Sequence, residues 1–338
     1  MSNNPYLSNK LWLNSEWVHD CRAGRFVSPL NVRWSPSDVC NHRCLECPFQ
    51  CHLSVPKSQT PIEQVQSLLD DLHDNGVQAL EITGGGEPCC HPDIVQIMEL
   101  SLDRFHTALV TNGTRLRKIP DGILERLAWI RISVDAATPE TYQMLRRCPR
   151  SDWEKVQQSV KRAAGLLGGR CSISFLPYPQ NYLEMPAFAS LMSSLGASVV
   201  RFSPLLDTCI YEGIESDLLE KTKQAVGDAA SLDLTVHSQM EQRLSRDLNS
   251  APSRCYYCLA ALFVSASLDV SRCCHVAYGR GAVLGNLATT ALNQIVESVH
   301  TMKDVFIPTQ HCRGCPYLDR VQAVDLMMSM DERDIVFA

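Results

Sequence analysis

The sequence lacks an excess of positive charge. Its 31 lysines and arginines are outnumbered by 37 aspartates and glutamates, giving a formal net charge of −6. No global positive field invites nucleic acid. Long apolar runs are missing too. CLAALFV, residues 258–264, falls far short of the roughly 20 residues of a membrane helix, so no membrane contact is expected. The opening MSNNPYLSNKLWLNSEW has no basic start followed by an apolar stretch, so it does not read as a secretory signal. A cytoplasmic, reducing compartment is expected. There is no internal repeat and no low-complexity segment. The composition, 45% hydrophobic and 20% charged, is ordinary for a globular chain.

Cysteine is what the sequence has, 16 in 338 residues. Secreted disulfide scaffolds are usually much shorter, and clustered thiols in a reducing compartment point instead to metal or redox chemistry. Cys21, Cys171 and Cys209 stand alone and are expected to be small buried hydrophobes. The others gather. Cys40, Cys44 and Cys47 lie within CNHRCLEC, and Cys255, Cys258, Cys273, Cys274, Cys312 and Cys315 lie near the other end.

Between these groups the pattern alternates. Strands are expected at 31–35, 79–84, 107–113, 129–136, 171–177 and 198–205. Helices are expected at 61–76, 92–103, 121–128, 139–147, 153–169, 185–196 and 217–230. Thr60 reads as the N-cap of the first of these helices, with Glu63 three residues on. Six strand–helix units predict an α/β core, a parallel sheet with helices outside, over residues 31–235. Residues 1–30 read as an extension that Trp12, Trp17 and Phe26 can dock. Residues 236–250 read as a linker, 251–320 as a small cysteine-rich domain, and 321–338 as a helix and tail whose methionines fill core.

Three thiolates from one loop can ligate three irons of a 4Fe–4S cluster. The fourth iron then keeps an open position, as catalytic metal sites do. This loop follows the first strand, at the carboxyl edge where α/β folds place their chemistry. At the end of the second strand stands TGGGEP, Thr83–Pro88. Gly84, Gly85 and Gly86 let backbone approach a ligand closely, and Glu87 offers a carboxylate to an ammonium. A zinc site is the alternative, with a second cysteine pair supplied from the C-terminal group.

Cys40, Cys44 and Cys47 with Gly85, Gly86 and Glu87, followed by TNG (111–113) and SVDA (133–136), resemble the radical S-adenosylmethionine (SAM) superfamily over residues 31–235. The resemblance implies a partial (β/α)6 TIM-type barrel and SAM chelated at the open iron. Thr83, Gly84, Gly85, Gly86, Glu87, Asn112, Ser133, Asp135 and Arg146 would line the SAM site. Glu87 would meet the ammonium, with Ser133 and Arg146 near the carboxylate or ribose. An electron from a flavodoxin- or ferredoxin-like reductase would pass through the cluster and cleave SAM. The resulting 5′-deoxyadenosyl radical would abstract hydrogen from the substrate. Two positions depart from the family: Glu46 replaces an aromatic residue before the third cysteine, and Cys89, Cys90 and His91 follow GGGEP.

CYYC (255–258), CC (273–274), LGNLATTALNQI (284–295) and HCRGCPY (311–317) resemble the SPASM/Twitch extension. That implies one auxiliary 4Fe–4S cluster on Cys255, Cys273, Cys312 and Cys315, with Cys258 and Cys274 as alternates. A competing likeness, Cys-x2-Cys-x14-Cys, is to the second cluster of molybdopterin-precursor cyclases, and it leaves Cys312 and Cys315 unexplained. His275 and His311 flank cysteines and read as surface or outer-sphere residues. The auxiliary cluster would oxidise the substrate radical or assist epimerisation, for which Cys148, Cys89 and Cys90 are candidate hydrogen-atom donors, as are Cys258 and Cys274 if unligated. Only about 30 residues precede the first strand, too few for the recognition domain of many peptide-modifying relatives. A small-molecule substrate, a sugar, an aminocyclitol or a nucleotide-like molecule, is therefore expected. A peptide maturase and a non-catalytic iron–sulfur or zinc protein are the alternatives. Arg201 is suited to a phosphate.

Overall fold

The computed structural model describes residues 14–23, 25, 27–47, 49, 57–205, 208–244, 254–301, 306–308, 312, 315 and 317–329. The chain begins with α1 (Ser15–Arg22), β1 (Asn31–Trp34), α2 (Ile62–Asp74), β2 (Ala79–Ile82), α3 (Ile94–Leu102) and β3 (His106–Thr111). It continues through α4 (Asp121–Glu125), β4 (Trp129–Ser133), α5 (Pro139–Arg146), α6 (Ser151–Leu167), β5 (Cys171–Phe175), α7 (Met185–Ser194) and β6 (Val199–Phe202). Then follow α8 (Glu215–Ala229), β7 (Thr235–Ser238), α9 (Met240–Leu244), α10 (Tyr257–Ala260), β8 (Ala261–Val264), β9 (Asp269–Ser271), β10 (Gly285–Asn286), α11 (Leu292–Thr301) and α12 (Leu318–Ser329).

β1 to β7 pair in sequence order, every pair parallel. The sheet does not close, because β10 and β7 are its two ends. This is the expected α/β partial barrel with one more strand. The strands divide by period two. Val32, Trp34, Leu80, Ile82, Ile130, Ile132, Ile173, Phe175, Val200 and Phe202 are buried in one core with helix residues such as Leu69, Val160 and Phe188. The alternate positions, Arg33, Glu81, Arg131, Ser133, Ser172, Ser174, Arg201 and His237, share the opposite face, the lumen of the open barrel. Parallel strands buried on both faces usually read as continuous apolar runs. Here the second face is polar.

Several expectations change. The linker at 236–250 opens with β7, whose β-branched Thr235 and Val236 pair in parallel with Val199 and Val200, and α9 follows. Residues 245–250 lie outside the described residues. Thr60 caps nothing. Its Oγ1 donates to Ala266 O (3.0 Å) and its N–H to Pro36 O (2.9 Å), which leaves Pro61 at the helix start. Cys21 and Cys171 are buried, but Cys209 is exposed, on a single helical turn that points Tyr211 inward instead.

The C-terminal module continues the sheet rather than standing apart from it, since β8 pairs in parallel with β1. The N-terminal extension belongs with that module. Trp17, Cys21 and Val27 share a second core with Tyr257, Leu259, Val299, Val321 and Val324, and Arg22 Nη1 donates to Met327 O (2.7 Å). Trp12, Phe26 and the tail 330–338 lie outside the described residues. Among the described residues no helix is long and apolar enough to cross a membrane.

The apolar face should be the stability-determining one. Phe175 packs on Phe188 (4.8 Å between ring centroids) and Phe202 (5.7 Å) and is fully buried. Phe175→Ala is expected to cost about 3–5 kcal/mol, read as a lower urea midpoint at unchanged slope.

Candidate functional site

The loop after β1 is fixed before it reaches its first cysteine. Thr83 N donates to Trp34 O (2.8 Å), Gly86 N to Ser37 O (3.0 Å) and Glu87 N to Val39 O (2.9 Å), while Gly85 N donates to Ser35 Oγ (2.8 Å). The segment after β2 is thereby laced to the segment after β1, each bond contributing about 1 kcal/mol net. So close an approach leaves no room for side chains. A Cβ on Gly86 would stand 2.4 Å from Val39 O, and one on Gly85 would stand 2.1 Å from the Tyr278 hydroxyl oxygen. At these two positions the glycines let chain pack on chain, a use the motif does not reveal.

The cysteine loop is held from its other side by the end of α5. Arg43 N donates to Arg146 O (3.1 Å) and Leu45 N to Leu145 O (2.8 Å). Arg146 Nη1 reaches Cys44 Sγ (3.5 Å), and its Nη2 pairs with Asp135 Oδ2 (2.6 Å). Burial works against the Arg146 charge, but Asp135 and Cys44 outweigh it and hold the guanidinium protonated. Cys40, Cys44 and Cys47 are each half-buried. Burial pushes the Cys40 thiol up to about 12, with Glu87 and Cys44 adding to the rise. Such a thiol gives up its proton readily only to a compensating cation.

The Glu87 side chain ties the ends of β2 and β3 together. Its Oε1 accepts from Thr111 Oγ1 (2.6 Å) and Cys89 N (3.0 Å), and its Oε2 from Asn112 N (2.7 Å). Burial raises its pKa and these donors oppose the rise. Asn112 Nδ2 donates to Asn41 Oδ1 (3.0 Å), and Asn41 Nδ2 donates to Thr114 Oγ1 (2.9 Å). Ser133, at the carboxyl end of β4, accepts from Ser174 Oγ (3.3 Å). Asp135 adopts φ 64°, a costly conformation for a residue with a Cβ, and its Oδ1 accepts from Leu176 N (2.8 Å).

A single tetrahedral zinc ion would gather its thiols to about 3.8 Å from one another. Among the described residues, the one His/Cys/carboxylate trio within 4.8 Å is His42, Cys148 and Asp152. Neither cysteine group forms such a trio.

A profile of the radical SAM superfamily matches residues 34–192. Residues 34–192 therefore form a radical SAM domain. It is similar to the antilisterial bacteriocin subtilosin biosynthesis protein AlbA of Bacillus subtilis, 26% identical over 209 residues, 60% of this chain and 44% of AlbA. The match therefore spans less than half of that relative. Its fold is similar to Streptococcus suis SuiB bound to the precursor peptide SuiA, with TM-score 0.64 and 15% identity over 94% of this chain and 76% of SuiB. It is also similar to anSMEcpe with bound AdoMet and a Cp18Cys peptide, with TM-score 0.58 and 15% identity over 90% and 85% of the two chains.

Radical SAM proteins use a 4Fe–4S cluster and SAM, and these residues fit both. Three half-buried thiols in one doubly held loop are the donor set such a cluster takes. Thr83, Gly84, Gly85, Gly86, Glu87, Asn112, Ser133, Asp135 and Arg146 all end up on the same carboxyl edge as the loop. Glu87 and Arg146, however, already serve as ties within the protein. Asn41, Asp38 and Tyr278 were not foreseen. Tyr278 donates to Asp38 Oδ1 (2.7 Å) across 240 residues of sequence, and no local signal announces such a contact.

The three candidate hydrogen-atom donors part ways. Cys89 is wholly buried in the main core, because the turn Pro88–Cys90 points it inward. Cys148 is buried beside His42 and Asp152. His42 Nε2 lies 3.2 Å from Asp152 Oδ2, and burial, then Arg146, lowers the imidazole pKa to about 4. Neither thiol is exposed to a substrate. Cys90 is half-buried, with Sγ donating to Asn41 Oδ1 (3.5 Å).

The C-terminal thiols gather around Cys255. Burial pushes Cys273 and Cys315 up to about 12; the charge of Cys274, then that of Cys255, raises Cys273 further, and that of Cys255 raises Cys315. Burial raises Cys258 most, then Cys255. Cys312 acts on Cys255 and Cys315. Cys274 also reaches beyond this group. Its Sγ lies 3.0 Å from the Tyr317 hydroxyl and 3.6 Å from Arg33 Nη1. His311 lies outside the described residues. After reconstitution with iron and sulfide, Cys255→Ala is expected to lose about four irons per chain, whereas Cys274→Ala keeps the wild-type iron content. Iron and sulfide assays check this.

Proposed function

We propose that this chain is a peptide-modifying radical SAM enzyme with two 4Fe–4S clusters. The observation that carries the reading is the likeness to peptide-bound SuiB over 94% of this chain, C-terminal module included. AlbA, a bacteriocin biosynthesis protein, supports it from sequence. Together these favour a peptide over a small-molecule substrate.

The cluster and SAM, when bound, supply one-electron cleavage of SAM to methionine and a 5′-deoxyadenosyl radical. The chain's part is to hold and shield. Cys40, Cys44 and Cys47 would ligate three irons. The lacing of residues 83–87 to 34–39 and the grip of α5 fix that loop, and Arg146 steadies Cys44. Glu87, Asn112 and Ser133 border the SAM position. Cys255, Cys273, Cys312 and Cys315, with Cys258 as alternate, would hold the auxiliary cluster. A flavodoxin- or ferredoxin-like reductase would supply the electron. The lumen face of the sheet would take the peptide residue to be modified.

The triple variant Cys40→Ala, Cys44→Ala, Cys47→Ala is expected to hold about four irons against about eight in wild type. It should form no 5′-deoxyadenosine after anaerobic reduction with SAM, measured by liquid chromatography. Synthetic peptides encoded by short reading frames beside the gene are expected to accelerate 5′-deoxyadenosine formation by wild type and to change mass. Acceleration by sugars or aminocyclitols, with none from any peptide, would overturn the peptide reading.

A further inference from the structure

The lumen face carries charge of one sense. Arg33 on β1, Arg131 on β4 and Arg201 on β6 share it, and Glu81 on β2 is the one carboxylate among the lumen-facing positions of β1 to β7. Arg320 of α12 adds a fourth guanidinium within reach of Glu81. Despite its burial, Arg33, Arg131 and Arg320 hold Glu81 ionised. This stands against the chain's net charge of −6. A concave, partly buried surface of one sign concentrates the opposite charge.

Two of these arginines are engaged on the β1 side. Arg33 pairs with Glu81 (3.2 Å) and lies over the Tyr317 ring (4.7 Å). Arg320 Nη1 donates to the Tyr257 hydroxyl (3.2 Å). Arg131 is different: half-buried, its guanidinium makes no hydrogen bond or ion pair among the described residues. Arg201 Nη2 donates to a neutral partner, Gln239 Oε1 (2.9 Å). Register places Ser133, Ser174, Arg201 and His237 in one row across β4, β5, β6 and β7. Neighbouring strands are about 4.8 Å apart, so the row is a band of polar side chains. It crosses the strands at or next to their carboxyl ends, the edge where the cysteine loop lies.

We infer that the barrel lumen binds a carboxylate of the substrate between Arg131 and Arg201, with Ser174 beside it. The guanidinium fork matches a carboxylate in two parallel bonds. This rests on the peptide reading, under which the carboxylate belongs to an acidic side chain or a chain terminus near the modified residue.

The test is calorimetric binding to the full, anaerobically reconstituted chain with SAM present. The probes are glutarate against glutaramide, and two synthetic peptides that differ only by Glu against Gln. Wild type is expected to bind the acid of at least one pair about tenfold tighter than the amide. Arg131→Gln and Arg201→Gln should each erase that preference, Arg201→Lys should restore part of it, and Lys223→Gln on the exposed side of α8 should leave it intact. Circular dichroism confirms that each variant is folded. Equal affinity for acid and amide in wild type, or a preference that persists in both arginine-to-glutamine variants, overturns the inference. Preference for glutarate with no peptide bound keeps the anionic site and overturns the peptide reading. A peptide that accelerates SAM cleavage without acid preference does the reverse.

Discussion

The structure depends on the lacing of two loops. Four backbone donors of residues 83–87 reach acceptors within residues 34–39, and the cysteine loop begins one residue later. Without this clasp, three thiols on a loop would sample many arrangements, and a cluster would have to order them at the cost of backbone entropy. Preordering moves that cost into folding. The price is steric, since Gly85 and Gly86 have backbone or Tyr278 where a side chain would go. A second hold, from Leu145 and Arg146 at the end of α5, reaches the loop from the opposite side. The clasp and the α5 contact are non-local, so the site exists only once β1, β2 and α5 are assembled.

The second organising fact is that one sheet serves two solvents. Its outer face is packed as densely apolar as any core, from Val32 to Phe202. Its inner face is polar and rich in arginine. Burying arginines beside one carboxylate is electrostatically costly unless something compensates. Glu81, the ring of Tyr317 and the hydroxyl of Tyr257 compensate on the β1 side. The β4–β7 side has hydroxyls, Gln239 and His237. On the β1 side these partners come from the C-terminal module, in Tyr257 and Tyr317.

That module is more than an appendage. β8 extends the sheet past β1, Tyr278 closes over Gly85, and α1 from the opposite end of the sequence completes its core. Cys273 faces the thiols around Cys255, and Cys274 also reaches Arg33 and Tyr317. The edge that carries Cys40, Cys44 and Cys47 and the C-terminal thiols are therefore parts of one continuous architecture.

Much of this was legible in the residues. Period-two and helical spacing found six of the parallel strands, and the cysteine spacing with GGGE picked out two segments that the structure laces together at one edge, because both signals are local in sequence. β7 was missed because its four residues alternate weakly beside a polar stretch. Thr60 was misread because a cap and a long-range donor look alike in one dimension. Cys89 and Cys148 looked like free thiols near the site, and only packing shows them turned into the core. By itself the sequence determined which side-chain types stand at which spacing, since these are covalent facts. Only the tertiary structure decided what each one faces. Glu87 became a tie between strand ends, Cys274 came to lie beside Arg33, and three arginines from separate strands came to share one lumen, because side-chain direction is set by register between strands far apart in the chain.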